Sequence, residues 1–206
     1  MYALVVNNSI TRVFPGPKGF EHNGNQYSPD IFYKWSKAEK EAIGLYEVVT
    51  DSTNYKDTKW YINTNESFAF ANNTVTRSWG TATAKAHADT LWTQQDSDDG
   101  DLPDDKEVGD VKVEGLKTQL IRTIKQQAAG ILQDTDWYVV RKADAGTAVP
   151  SAITTHRAAV RTKAAEMETA ITNAADTPAL ETLYTYTEQE DGSVTRPLGE
   201  LPTLES

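Results

Sequence analysis

The chain has 206 residues, which is enough for one or two domains of ordinary size. With 38% hydrophobic residues and a formal charge of −10, its composition is too polar for a membrane protein and too apolar for a fully disordered chain. The negative charge disfavours general nucleic-acid binding, and the absence of cysteine excludes disulfides, thiol catalysis and cysteine-ligated metals.

The N-terminal residues predict a strand rather than a signal peptide, because Met1–Asn7 contains neither a basic region nor a cleavage site. No apolar run reaches the roughly 18 residues that a membrane span needs. We therefore expect a soluble protein made in the cytoplasm, with no membrane among its partners.

The first 80 residues have the pattern of short strands separated by turns. Asn23-Gly24 predicts a two-residue hairpin turn, since both residues tolerate positive φ. Ser36 and Glu39 have the spacing of a helix capping box, and Gly44 suits the end of that helix. We predict an N-terminal, mostly antiparallel β domain over 1–80 with one short helix. Its main strands are predicted at Tyr2–Val6, Ser9–Phe14, Leu45–Val49, Lys59–Asn63, Ser67–Ala71 and Thr74–Trp79.

Residues 96–110 are strongly acidic, with eight carboxylates against one lysine, so they hold a net −7 of the total charge. Such a block repels itself into an extended form. We predict a helix over Thr83–Trp92 followed by an acidic linker, which together occupy 81–110. A calcium-binding loop is excluded, because the register that places Glu107 at position twelve puts Gly100 at five rather than six.

After the linker, apolar residues recur at helical spacing. Helices are predicted over 111–133 and 151–174, with Pro150 in the first turn of the second. They would form an antiparallel helix hairpin over 111–175, followed by a C-terminal extension over 176–206 that contains a β-hairpin. The predicted fold class is therefore α+β.

Three segments share one pattern, in which a two-residue turn is followed by Ser or Thr, a β-branched residue, Thr and Arg. Turn chemistry and strand alternation produce this order by themselves, so the pattern predicts three independent hairpins. The spacings are too unequal for a solenoid. The segments are Asn7–Arg12, Asn72–Arg77 and Asp191–Arg196.

The sequence offers no candidate active site. The three histidines, His22, His87 and His156, are scattered and have no second metal ligand at the spacing of a metal site. Gly16-Pro17-Lys18-Gly19 lacks the pattern of a phosphate-binding loop. We predict no catalytic residues, no cofactor and no metal.

Five residues instead suggest a partner-binding surface: Trp137, Tyr138, Arg141, Arg157 and Arg161. Arg157 and Arg161 are four residues apart and share one face of the second helix. Trp, Tyr and Arg are the residues most enriched in binding hot spots. A structural role is the alternative, in which Trp137 fills the centre of the helix hairpin and the arginines pair with neighbouring acids.

The segment from Arg122 to Arg161 also resembles a known family. It contains Leu132-Gln133-Asp134-Thr135-Asp136-Trp137, then Val149-Pro150, then Arg157 and Arg161. This order resembles the short domain of phage tail assembly chaperones, which has a Leu-x-x-Thr-Asp-Trp turn, a proline and an Arg-x-x-x-Arg helix. The N-terminal half is similar to N-terminal modules of many phage tail-associated proteins, in the segments Tyr2–Val5, Asn23–Pro29 and Gly44–Tyr46.

The resemblance implies a bacteriophage tail-associated protein that assists tail or tail-fibre assembly in the host cytoplasm by binding another tail protein. The alternative is a permanent virion component in the tail, such as a small adaptor at the baseplate or fibre base, present as a homo-oligomer or in symmetric copies. A tail-associated glycan hydrolase would need paired carboxylates in a cleft, which the sequence does not indicate. The implied partner is a tail or tail-fibre protein, with no nucleic acid.

Overall fold

A computed structural model describes residues 1–204. Contacts divide the chain into two compact units, Met1–Thr83 and Ala84–Ser206. Strands dominate the first unit and helices the second, so the predicted α+β class is confirmed. Among residues 1–204, none of the helices combines the length and the apolar character that a membrane crossing requires.

The first unit contains a five-stranded sheet in the order β2-β1-β5-β8-β7. Adjacent strands in this sheet are antiparallel, except for β5 and β8, which are parallel to each other. The strands are β1 Tyr2–Val6, β2 Ser9–Phe14, β3 Phe20–His22, β4 Asn25–Tyr27, β5 Leu45–Thr50, β6 Tyr61–Ile62, β7 Ser67–Ala71 and β8 Thr74–Ser78. Two short helices, α1 Ile31–Lys34 and α2 Lys37–Ala42, lie between β4 and β5. The strand predicted over Lys59–Asn63 is therefore present only as the two residues of β6.

Local sequence signals account for the ends of these elements. The Ser36 hydroxyl accepts from the Glu39 amide and the Glu39 carboxylate accepts from the Ser36 amide, so the capping box of α2 is present. Gly44 follows α2 with φ +79°, and a Cβ there would lie 2.4 Å from the carbonyl oxygen of Val5. Only glycine fits both the backbone angle and the approach.

Both faces of the sheet carry apolar side chains. Successive residues of β1 point to opposite faces, and Ala3, Leu4 and Val5 are all apolar. Leu4 lies in a buried cluster with Phe14, Phe20, Ile31, Phe32 and Leu45. Ala3 and Val5 lie in a second cluster on the other face, with Val75. The helices and the β3–β4 hairpin thus contribute to the first cluster only.

The three segments that share a turn pattern form hairpins, as predicted. Asn7 and Asn8, and likewise Asn72 and Asn73, have positive φ, which matches the twist of paired strands. In each segment the final arginine lies over an aromatic ring. The distances from Arg Cζ to the ring centroid are 4.8 Å for Arg12 and Phe14, 4.4 Å for Arg77 and Trp79, and 5.2 Å for Arg196 and either Tyr184 or Tyr186.

The second unit is built on two long helices. A short strand, β9 Thr83–Ala84, crosses the boundary between the units. The elements that follow it are β10 Thr90–Leu91, α3 Gln94–Asp98, β11 Val111–Val113, α4 Leu116–Gln133, α5 Asp136–Ala145, α6 Ser151–Asn173, α7 Thr177–Tyr184, β12 Thr187–Glu188 and β13 Val194–Thr195. Lys117 Nζ donates to the Thr172 carbonyl near one end of the helix pair, and Arg157 contacts Leu132 near the other. The helices α4 and α6 are therefore antiparallel, as predicted.

The helix predicted over Thr83–Trp92 is absent, because this segment has other hydrogen-bond partners. The carbonyls of Ala86 and His87 accept from the amides of Leu116 and Lys117 in the first turn of α4. The Asp89 carboxylate accepts from the Gly115 amide at 2.7 Å. An extended segment thus supplies acceptors to the amides that a helix N-terminus leaves without partners.

The acidic segment forms a closed loop in the second unit rather than the extended linker that the sequence predicts. Asp96 accepts hydrogen bonds from Thr93 and from Lys112, which lies in the strand that ends the loop. These hydrogen bonds lower the pKa of Asp96 to about 2, and the bond from Lys112 has a larger effect than either of those from Thr93. Pairing between β10 and β11 joins the two ends of the loop.

Candidate functional site

The segment between α4 and α6 contains a helix that the sequence analysis does not predict, α5 over Asp136–Ala145. Asp136 lies in its first turn, where a carboxylate is favoured by the helix dipole. Gly146 ends the helix in the left-handed conformation at φ 69°. No residue of α5 is buried. The helix therefore places its whole length at the surface of the second unit.

Three predicted site residues form a stack on α5, which we call the aromatic–arginine cluster: Trp137, Tyr138 and Arg141. The ring centroids of Trp137 and Tyr138 are 3.7 Å apart. The Cζ atom of Arg141 lies 4.8 Å from the Trp137 centroid and 5.4 Å from that of Tyr138. Trp137 and Arg141 are four residues apart and so share one face of the helix. Cation–π attraction holds the guanidinium over the rings.

Trp137 is 51% exposed, so it does not fill the centre of the helix hairpin. Arg141 is half-buried, and its Nε is a buried donor without a hydrogen-bond partner. Among the described residues, no carboxylate forms an ion pair with Arg141. The cluster therefore presents an apolar ring surface beside a guanidinium group whose charge no described carboxylate matches.

Arg157 has a different role, because it is buried inside the second unit. Its Nη1 donates to the Leu132 carbonyl at 2.7 Å and to Thr135 Oγ1 at 2.6 Å, and its Nη2 donates to Asp136 Oδ1 at 2.8 Å. The side chain thus attaches α6 to the turn between α4 and α5. Arg157 therefore has the structural role that the sequence analysis gives as the alternative, since it pairs with a neighbouring acid. It supports the aromatic–arginine cluster but is not part of the cluster's surface.

Arg161 lies one turn further along α6 and is exposed. Its Nη1 donates at 3.5 Å to the carbonyl of Arg157, which is a weak contact. Arg157 and Arg161 therefore do not form a common basic spot, although they lie on the same helix. The cluster on α5 and the exposed Arg161 are the predicted residues that a partner can reach.

The sequence contains one signal for α5, although the spacing of apolar residues does not indicate a helix there. Gly146 directly follows the last helical residue, which is the usual position of a helix-ending glycine.

For metal chemistry, no group of three potential ligand side chains occurs within the described part of the chain. Comparison with family models, with curated proteins and with solved structures gave no match for the chain.

Proposed function

We propose that the chain is a bacteriophage tail-associated protein that assists tail or tail-fibre assembly by binding another tail protein. The observation that carries this proposal is the aromatic–arginine cluster: a tryptophan 51% exposed, stacked with Tyr138 and Arg141 on a helix that buries none of its residues. The resemblance of residues 122–161 to tail assembly chaperones supplies the class of partner.

The residues of the resembling motif divide into a support and a contact surface. Arg157 donates hydrogen bonds to both Thr135 and Asp136 and so fixes the start of α5. Trp137 and Arg141 then lie in a set orientation before any partner binds. Such preorganisation reduces the entropy lost on association, which favours binding through a small surface.

The chemistry of the cluster indicates the chemistry of the partner. The exposed ring surface fits an apolar or aromatic side chain, and the Arg141 guanidinium fits a carboxylate or a carbonyl oxygen. The partner surface should therefore combine an apolar side chain with an adjacent acceptor. This role requires no catalytic step.

The alternative is a permanent component of the virion. An acidic segment that repels itself would support this alternative if only a partner protein could hold it in one conformation. Its order is explained within the chain, by the contacts of Asp96 with Thr93 and Lys112. Mass spectrometry of purified phage particles separates the two roles. An assembly factor is absent from mature particles, whereas a structural component is present in fixed stoichiometry.

The proposal is tested by co-expressing the chain with the tail and tail-fibre proteins of the same phage and measuring affinity for any that co-purifies. We expect Trp137→Ala and Arg141→Ala each to weaken binding at least tenfold, since truncation of a hot-spot residue costs about 2 kcal/mol or more. Tyr33→Ala is the matched control, because Tyr33 is 77% exposed in the first unit. Unchanged affinity in both cluster variants, or no tail protein bound, would contradict the proposal.

A further inference from the structure

We infer that a cavity of about 450 Å³ in the second unit receives a lysine or arginine side chain of the partner protein. The cavity lies between α4, α6 and the segment after β13, and its lining includes Gly130, Ile131, Asp134, Met167, Arg196 and Glu200. The assignment of the occupant to a protein partner rests on the proposed function. The chemistry of the occupant follows from the cavity itself.

Gly130 opens the wall of the cavity that α4 provides. It lies inside an 18-residue helix, where glycine is less favourable than every residue except proline. A Cβ at this position would meet no atom within 4 Å, so close packing does not require a glycine. Its φ is not in the left-handed region either. The missing side chain therefore leaves space in the cavity at a cost to the helix.

The inner walls of the cavity are apolar. Met167 on α6 is buried, with 1% of its surface exposed, while Ile131 and Leu201 are half-buried. The exposed parts of Ile131 and Leu201 offer contacts to a chain of methylene groups. Lysine and arginine pack such chains against apolar surface and keep the charged end in a polar environment.

The polar groups of the cavity leave one carboxylate uncompensated. Arg196 forms an ion pair with Glu200 at 2.8 Å and lies over the rings of Tyr184 and Tyr186, so its charge is already matched. Glu200 also accepts from the Tyr186 hydroxyl at 2.6 Å. Asp134 is exposed at the mouth of the cavity, and within the described part of the chain no cation pairs with its carboxylate.

The position of Asp134 adds to the negative potential. It is the C-cap residue of α4, where the last carbonyl groups of the helix carry partial negative charge. The Leu132 carbonyl at this end already accepts from Arg157, so the charge left for an incoming cation is that of the Asp134 carboxylate. An incoming ammonium or guanidinium group would therefore pair with Asp134, while an anion would be repelled and an uncharged chain would gain nothing from this charge.

The two methionines of the chain provide a direct test, because Met167 lines the cavity and Met1 lies in the other unit. The protein is labelled with ¹³C at the methionine methyl groups and titrated with N-acetyl-lysine methylamide. We expect a saturable shift of the Met167 signal with a dissociation constant in the millimolar range, on the order expected for so small a ligand. The Met1 signal should not move. The norleucine analogue, which lacks only the ammonium group, should give no saturable shift.

Variants assign the response to the cavity. Gly130→Leu, which fills the space at α4, should abolish the shift, and Asp134→Asn should weaken binding at least fivefold. Asp144→Asn removes an exposed carboxylate from α5 and should leave the titration unchanged. Circular dichroism melts confirm that each variant is folded, and Asp134→Asn alone suffices if Gly130→Leu does not fold.

The inference would be overturned by an equal response to the norleucine analogue. It would also be overturned by a Met167 signal that does not move at about 50 mM ligand, a concentration roughly tenfold above a dissociation constant of a few millimolar. Both results come from the isolated protein and do not involve Trp137 or Arg141. A failed titration therefore leaves the pull-down result for the aromatic–arginine cluster standing, and a failed pull-down leaves the cavity result standing.

Discussion

Arg157 Nη1 donates a hydrogen bond to Thr135 Oγ1 over 2.6 Å, although 22 residues separate the two in sequence. The same Thr135 hydroxyl donates to the Leu132 carbonyl at 3.0 Å, and Arg157 donates to that carbonyl as well. Three elements, α4, α5 and α6, are thus joined through one buried arginine. This arrangement explains why two arginines one helical turn apart should respond differently to mutation.

We expect Arg157→Ala to lower the free energy of unfolding of the second unit by about 2–4 kcal/mol, because it leaves buried acceptors at Leu132 and Thr135 without their charged donor. Arg161→Ala should cost less than about 0.5 kcal/mol, since Arg161 is exposed. Urea denaturation followed by circular dichroism measures both. Equal losses for the two variants would show that Arg157 does not fasten the turn.

The low pKa of Asp96 predicts a pH-dependent loop. Because the folded pKa, about 2, lies below the ordinary value of 3.8, the contacts of Asp96 contribute stability above about pH 4, and this contribution is lost as the pH falls through 2. We expect Lys112→Met to raise the pKa of Asp96 toward its ordinary value, as measured from the carboxyl ¹³C shift during an NMR titration. Lys106→Met, which removes a lysine beside Asp105, is the control and should leave it unchanged.

Glycine substitutions at two positions of the second unit should have opposite effects. Gly130→Ala should raise the free energy of unfolding by roughly 0.5–1 kcal/mol, since alanine favours the helix and its Cβ meets no atom. Gly146→Ala should lower it by about 1 kcal/mol, because alanine is strained at φ 69°. Thermal melts compare the pair. A loss of stability in Gly130→Ala would show that the helix needs glycine there.

The second unit should fold without the first. Residues 84–206 contain α4, α6 and their shared buried residues, together with the extended segment that caps α4. We expect this fragment, expressed alone, to give a helical circular dichroism spectrum and a cooperative melt. A fragment beginning at residue 111 serves as the comparison and should be less stable, since it lacks Asp89 and the carbonyls of Ala86 and His87. Equal stability of the two fragments would contradict the capping role.

The elements that the sequence predicts well are those with local causes. The capping box of Ser36 and Glu39 lies within four residues, and the Asn72-Asn73 turn requires only that both residues accept positive φ. The long helices α4 and α6 also follow from apolar residues at helical spacing. In each of these elements the decisive contacts join residues that are close in sequence or repeat regularly.

The predictions that differ from the structure concern distant contacts or exposed helices. Thr83–Trp92 is extended because its carbonyls accept from amides about thirty residues away in α4. The acidic loop is closed by Lys112, which the sequence places in a helix over 111–133 but which lies in β11, because α4 begins only at Leu116. Helix α5 buries no residue, so it has no apolar face to detect, and the exposure of Trp137 could not be predicted. The separate roles of Arg157 and Arg161 likewise depend on the turn that Arg157 meets.

The parallel pairing of β5 with β8 has a consequence for the order in which the first unit folds. The β1–β2 and β7–β8 hairpins each join neighbouring residues through an Asn-Asn turn, and hairpins form in about 1–10 μs. By contrast, Val48 pairs with Val75 only after the intervening chain has closed as a loop. Because closure of long loops slows folding, this step should set the folding rate of the unit, with both hairpins forming ahead of it.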